Sequence, residues 1–94
     1  MRFEWDDEKE KENIRKHGIS FGTAIHVFFD DDRIERHDDR FDYGEDRYII
    51  IGIAFQDELF VVYTERDGIN RIISARRATK EERREYYDRK RDYR

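Results

Sequence analysis

Two adjacent arginines, Arg76 and Arg77, stand where the apolar-centred run "NRIISAR" (70–76) gives way to the charge-dense "ATKEERREYYDRKRDYR". Guanidinium groups are planar, permanently charged and rich in donors. They suit phosphate oxygens and the negative charge that builds on them during reaction. Arg66, closing "YTER", is a third such group. His17, followed by Gly18, carries an imidazole able to exchange protons near neutral pH. Around these, Ser74 can donate to a phosphate, Lys16, Arg71, Lys80 and Arg83 can track a polyanion, and Tyr86 can stack on a base. Each also has a plain structural reading. The arginines can pair with acids of the C-terminal segment or meet a protein partner, and His17 can be the cation that closes a helix. Ser74 can be a satisfied sheet residue, Tyr86 and Tyr87 can cover a core, and the lysines can belong to solvated helix faces laced with i,i+4 pairs.

Elements must position these groups. "RFEW" is a short strand or an extended lead-in. "DDEKEKENIRKHG" reads as a helix capped by Asp6 or Asp7, with acids at its start, Arg15, Lys16 and His17 at its end, and Gly18 as its left-handed stop. "SFGTAIHVFF" places Phe21, Ala24, Ile25 and Phe28 on one helical face, with Ser20 as cap. An edge strand is expected near Arg33–His37 and a loop near Asp38–Asp46, followed by strands at 47–55, 58–66 and 70–76. Asp67-Gly68 signals a hairpin, and Thr79 with Glu82 is spaced as a capping box that opens a C-terminal helix. Strand alternation sends Arg76, with Ile72 and Ser74, to one face and Arg77, with Ile73 and Ala75, to the other. Only one arginine then faces a given cleft directly. The predicted class is α+β: two N-terminal helices packed on a four-stranded, mainly antiparallel sheet, followed by a C-terminal helix. Residues 1–94 form one domain, with about 88–94 as a disordered tail.

Composition narrows the function classes. The chain is 47% charged with net charge −4, and it has no cysteine, which excludes disulfides and thiolate metal sites. Seven Phe, six Tyr and one Trp argue for a folded core despite the charge. Residues 30–46 carry nine acids against three arginines, and residues 69–94 carry ten Lys/Arg against five acids. A polyanion responds to the local field within about 8 Å in physiological salt, so the basic end can bind phosphate although the whole is acidic. His26 reads as packing and His37 as a solvated strand residue. Asp30–Asp32, Asp38 and Asp39 lack Ca²⁺-loop spacing. No metal and no cofactor is expected. No signal peptide and no membrane span is read, and the expected location is the cytoplasm.

Four pieces in order, "FEWD", "KHGISF", "YTER" and "ISARRAT", at family-like separations from Phe3 to Tyr86, resemble the BrnT family, toxins of type II toxin–antitoxin systems similar in fold to RelE-type ribonucleases. The resemblance implies an endoribonuclease that arrests translation and is neutralised by a DNA-binding, BrnA-like antitoxin. Operator DNA would be reached only through that antitoxin. It also implies metal-free cleavage by a neighbouring 2′-hydroxyl, with Arg76, Arg77, Arg66 and His17 as catalytic groups and Lys16, Arg71, Ser74, Lys80, Arg83 and Tyr86 along the RNA. The alternative is a non-catalytic interaction or co-repressor module of a DNA-binding antitoxin complex, suggested by the lack of an unambiguous acid–base pair.

Overall fold

The computed structural model describes residues 1–92. In chain order the elements are β1 (Arg2–Glu4), α1 (Asp7–His17), α2 (Phe21–Ala24) running on as a 3-10 turn (Ile25–Phe29), β2 (Ile34–His37), β3 (Tyr48–Ala54), β4 (Asp57–Arg66), β5 (Ile69–Arg77) and α3 (Lys80–Asp92). The strands form one sheet in the order β1-β5-β4-β3-β2. All neighbours are antiparallel except β1, which runs parallel to β5 through Arg2–Ile69, Phe3–Asn70 and Glu4–Arg71. The predicted four-stranded sheet is therefore a five-stranded mixed one. The lead-in "RFE" joins it as an edge strand alongside Ile69–Arg71. The predicted second helix is only one α-turn before it tightens into 3-10 geometry, consistent with the β-branched and aromatic run Ile25–Phe29.

Local signals explain the ends. Asp6 accepts from the amides of Glu8 and Lys9 at 2.9 and 3.1 Å, and Gly18 closes α1 at φ 70° with its N–H on the Ile14 carbonyl. Thr79 and Glu82 form the reciprocal capping box: Thr79 N donates to Glu82 Oε1 at 2.8 Å, and Glu82 N donates to Thr79 Oγ1 at 3.2 Å. α3 extends to Asp92; the rest of the tail expected at 88–94, residues 93 and 94, lies outside the described residues.

The sheet is covered on both faces. On the first, α1, α2 and the 3-10 turn bury Phe21, Ala24, Val27 and Phe28 against Ile50, Leu59, Val61, Ile72 and Ala75. On the second, Tyr86 of α3 seals Ile34, Ile49, Ile51, Phe60 and Val62. At Gly52 a Cβ would sit 3.2 Å from Val27 Cβ and 3.3 Å from Asp30 Oδ2, so only glycine lets the 3-10 turn approach β3 this closely.

Two details set up the functional geometry. The β4–β5 register shifts between Val62 and Tyr63, so Ile73 is a bulge residue. Ile72 consequently joins the first core with Ala75, and Ile73 packs on the second, reversing the parity expected for both isoleucines. Arg76 opposite Phe60 and Arg77 opposite Leu59 keep the opposite faces expected of them. In addition, β1 pairs only the start of β5. Along the open remainder, the buried Asn13 of α1 stands in for a missing strand. Its amide donates to the Ala75 carbonyl at 2.8 Å and accepts from Ala75 N at 3.1 Å, while also donating to the Ile19 carbonyl at 2.9 Å.

Candidate functional site

Arg76 leaves the second face of β5 and lies over Phe60, its guanidinium carbon 4.0 Å from the ring centroid. Its Nη1 and Nη2 donate to the two oxygens of Glu82 at 2.8 and 2.9 Å, and Nη1 donates to the Arg77 carbonyl at 3.1 Å. That engages three of the five guanidinium N–H donors. The side edge, Nε–H with one Nη2–H, has no partner among the described residues. Glu82 is ordered by this fork and by its capping bond; burial opposes its ionisation, but the Arg76 and Thr79 hydrogen bonds hold its carboxyl below the usual range.

A second guanidinium reaches the same ring. Arg40 lies 5.2 Å from the Phe60 centroid. Its Nε and Nη2 donate to Asp38 at 2.8 and 2.9 Å, and Asp38 also accepts from Arg40 N and the Tyr43 hydroxyl, both at 3.1 Å. The side edge of Arg40 is thereby fixed, and its outer edge has no partner among the described residues. Beside Arg40 lies a cleft of about 460 Å³ lined by Ile49, Phe60, Arg36, residues 37–40 and Glu82; Arg76 meets it through Phe60 and Glu82. Arg36, one of the lining residues, is bound to Glu85 of α3 at 2.7 Å.

Buried Asp38 gives this arrangement a pH signature. The Arg40 hydrogen bond, foremost, lowers its pKa from 3.8 to about 2. Between those values the unfolded chain binds more protons than the folded one, so the stabilisation from Asp38 is complete above the unfolded pKa and lost as pH falls toward about 2. Urea unfolding at pH 7, 4 and 2.5 is expected to show Asp38→Asn less acid-sensitive than the parent. Equal acid sensitivity would contradict this role.

A smaller cleft, about 200 Å³, follows the open edge of β5. Lys9, Glu12, Asn13, Lys16 and His17 of α1 face Ile73 and Ser74 across it. Lys16 is loosely paired to Glu12 at 3.5 Å. The other imidazoles are engaged elsewhere. His26 packs on Phe55 with centroids 4.5 Å apart, and His37 binds Asp39 and Asp46, which raise its pKa, Asp46 foremost.

The remaining sequence candidates disperse. Arg77 is on the first face beside Asp57 at 3.5 Å, so Arg76 and Arg77 do not converge. Arg83 donates to the Ala78 carbonyl at 2.9 Å and shares a cleft with Asp57, Glu58 and Arg77, where two carboxylates offset the cations. Arg66 pairs with Glu45 at 3.1 Å in a cleft it shares with Asp46 and Glu65, three acids around one cation. Arg71 pairs with Glu4 at 3.4 Å where β1 meets β5. Lys80 is exposed at the start of α3. Tyr86 is fully buried and donates its hydroxyl to Asp30 at 2.6 Å, so stacking on a base is not its role. Asp30, part of the acidic run, also accepts from Ile53 N at 2.8 Å. Arg40 and Phe60 were missed: Arg40 sits within a run dominated by acids, and Phe60 reads as ordinary strand core.

The family model for BrnT, the ribonuclease toxin of type II toxin–antitoxin systems, matches residues 5–82. The chain belongs to the BrnT family. Its matched span runs from Trp5 to Glu82 and so takes in α1, the whole of β5, Arg40, Phe60 and both clefts. BrnT membership implies a ribonuclease toxin with an RNA target and a cognate antitoxin. No curated protein matches the chain. Among the described residues, no helix is long and apolar enough to cross a membrane.

Proposed function

We propose that this BrnT chain is a metal-independent endoribonuclease that cuts RNA by attack of the neighbouring 2′-hydroxyl and so blocks translation. The scissile phosphate sits at Phe60, between the open side edge of Arg76 and the open outer edge of Arg40. The observation that carries this reading is the pair of guanidiniums on one ring, each fixed by a carboxylate on one edge and open on the other. Donors ordered before the substrate arrives stabilise phosphorane charge without reorganisation at the moment of reaction. In the step itself, the 2′-oxygen bonds to phosphorus and loses its proton, the bond from phosphorus to the 5′-oxygen breaks, and that oxygen gains a proton. The products are a 2′,3′-cyclic phosphate and a 5′-hydroxyl.

His17 lies in the edge cleft with Lys16 and Ser74; a proton transfer needs contact with the reacting oxygens, so all three are assigned to the RNA backbone one nucleotide from the reacting phosphate. Ser74 and Arg76 share a face of β5 two residues apart, about 7 Å at strand rise, so one nucleotide can bridge the two clefts. Arg77, Arg66, Arg71 and Arg83 are assigned to structural ion pairs.

Purified protein is expected to cut RNA in EDTA and to leave cyclic phosphate ends. A strand carrying 2′-deoxy sugar at the cut position should be inert, and His17→Ala should slow the reaction less than Arg76→Ala does. Cleavage of the deoxy strand, or dependence on a divalent cation, would contradict the mechanism. A chain that only binds its antitoxin would give no product under any of these conditions.

A further inference from the structure

Among the described residues most lysines and arginines have a carboxylate partner, but two on α3 do not. Among the described residues, Lys80 and Arg84 are exposed and have no ion-pair partner. At about 100° per residue, Lys80, Arg84 and Tyr87 fall within roughly 60° of arc on one helical face. Arg91 continues that face one turn further, paired to Asp88 at 2.7 Å. Tyr87 is 42% exposed, unlike its buried neighbour Tyr86, against which its ring stands edge-on at 5.0 Å. The acids of α3 fall outside this stripe, Asp92 at about 120° from Lys80. Glu82 and Glu85 are engaged by Arg76 and Arg36, and Asp88 by Arg91; Glu81 flanks the stripe without joining it.

We infer that this outer face of α3 is a second contact surface for the RNA substrate: Lys80 and Arg84 bind backbone phosphates flanking the cut, and Tyr87 stacks on an unpaired base. The inference rests on the RNA-cleavage reading and extends it to nucleotides beyond the reacting phosphate. Three physical points favour RNA as the occupant. An unpaired exposed cation binds phosphate without first giving up a carboxylate. A π-face set between cations is how single strands are held without base-edge readout. The stripe begins three residues after β5 ends, on the same helix whose Glu82 orders Arg76. At 1.5 Å rise, Lys80 to Arg91 spans about 16 Å, room for a few nucleotides.

The test uses a 2′-O-methyl oligonucleotide, which cannot be cut, so binding is read apart from chemistry. Lys80→Ala with Arg84→Ala is expected to weaken binding about 10-fold or more and to reduce the salt dependence by between one and two phosphate contacts. Tyr87→Ala should weaken it about 10-fold, with Tyr87→Phe restoring most of the loss. Lys11→Ala, on the far side of α1, is the control and should change nothing. Unfolding midpoints should stay at the parent value, since all four positions are exposed. Unchanged oligonucleotide affinity in the Lys80/Arg84 and Tyr87 variants would overturn the inference, and loss of antitoxin binding in the same variants would then assign the stripe to protein. If binding falls as expected while the parent protein fails to cut RNA, the contact surface stands and the cleavage reading fails.

Discussion

Arg76→Ala is expected to slow RNA cleavage about 100- to 1,000-fold, while Arg77→Ala changes it less than about 3-fold. The two neighbours differ in what they face. Arg76 lies over Phe60 with one edge held by Glu82, both residues of the larger cleft, whereas Arg77 projects from the other face beside Asp57. Truncating Arg76 removes the fork and leaves Glu82 without its bidentate partner, so a negative charge stands where a phosphate should bind. Arg76→Lys should recover little, because an ammonium cannot hold both Glu82 oxygens and also present a planar second edge. The reading is single-turnover cleavage of one short RNA at saturating enzyme, with circular dichroism confirming that each variant is folded. Arg77→Ala as damaging as Arg76→Ala would mean that the reacting phosphate lies on the first face.

Tyr86→Ala is expected to lower stability by about 3–5 kcal/mol. For a domain whose total is typically about 5–15 kcal/mol, that is the largest loss expected from a single side chain on α3. Tyr86 is fully buried and is what α3 contributes to the second core, and its hydroxyl is the donor that ties the helix to Asp30 across the end of β2. Burial, and then Asp30, push the phenol well above its ordinary pKa, so the hydroxyl remains a donor at any working pH. Tyr86→Phe keeps the ring and loses only that bond, and it should cost about 1–3 kcal/mol, because Asp30 is left one donor short. Urea titrations give both numbers. A Tyr86→Ala protein with the parent's unfolding midpoint and weakened RNA affinity would return Tyr86 to the surface role its sequence neighbourhood suggested.

Much of the element order was legible because its signals are local. Asp6, Gly18, Thr79 with Glu82, and Asp67-Gly68 each act within a few residues, and each ends or turns the chain where read. The fifth strand was legible only as an alternative: "RFEW" reads as a short strand or an extended lead-in, and its pairing with Ile69–Arg71 is a long-range event. The inner part of β5 was misread for a related reason. A bulge at Ile73 is one unpaired residue in an otherwise regular apolar run, and it exchanges the faces of Ile72 and Ile73 without a mark in the sequence.

The candidate site was legible in its residue types and less so in its grouping. Opposite faces for Arg76 and Arg77 followed from strand alternation alone. That Glu82 both caps α3 and forks Arg76 requires the helix to fold back over the sheet, which no local spacing encodes. Arg40 was hidden by its surroundings. Nine acids in residues 30–46 make the segment look like a solvated patch, yet buried Asp38 takes up one edge of Arg40 and delivers the other to Phe60.

A crystal structure of the protein with a 2′-O-methyl RNA spanning a mapped cut site tests the central claim most directly. The account predicts the scissile phosphate over the rim of Phe60, its oxygens about 2.7–2.9 Å from Arg76 Nε and from Arg40 Nη1, with Glu82 and Asp38 still holding the opposite edges. A phosphate seated instead beside Arg77 and Arg83, or beside Arg66, with the Phe60 cleft empty, would contradict it.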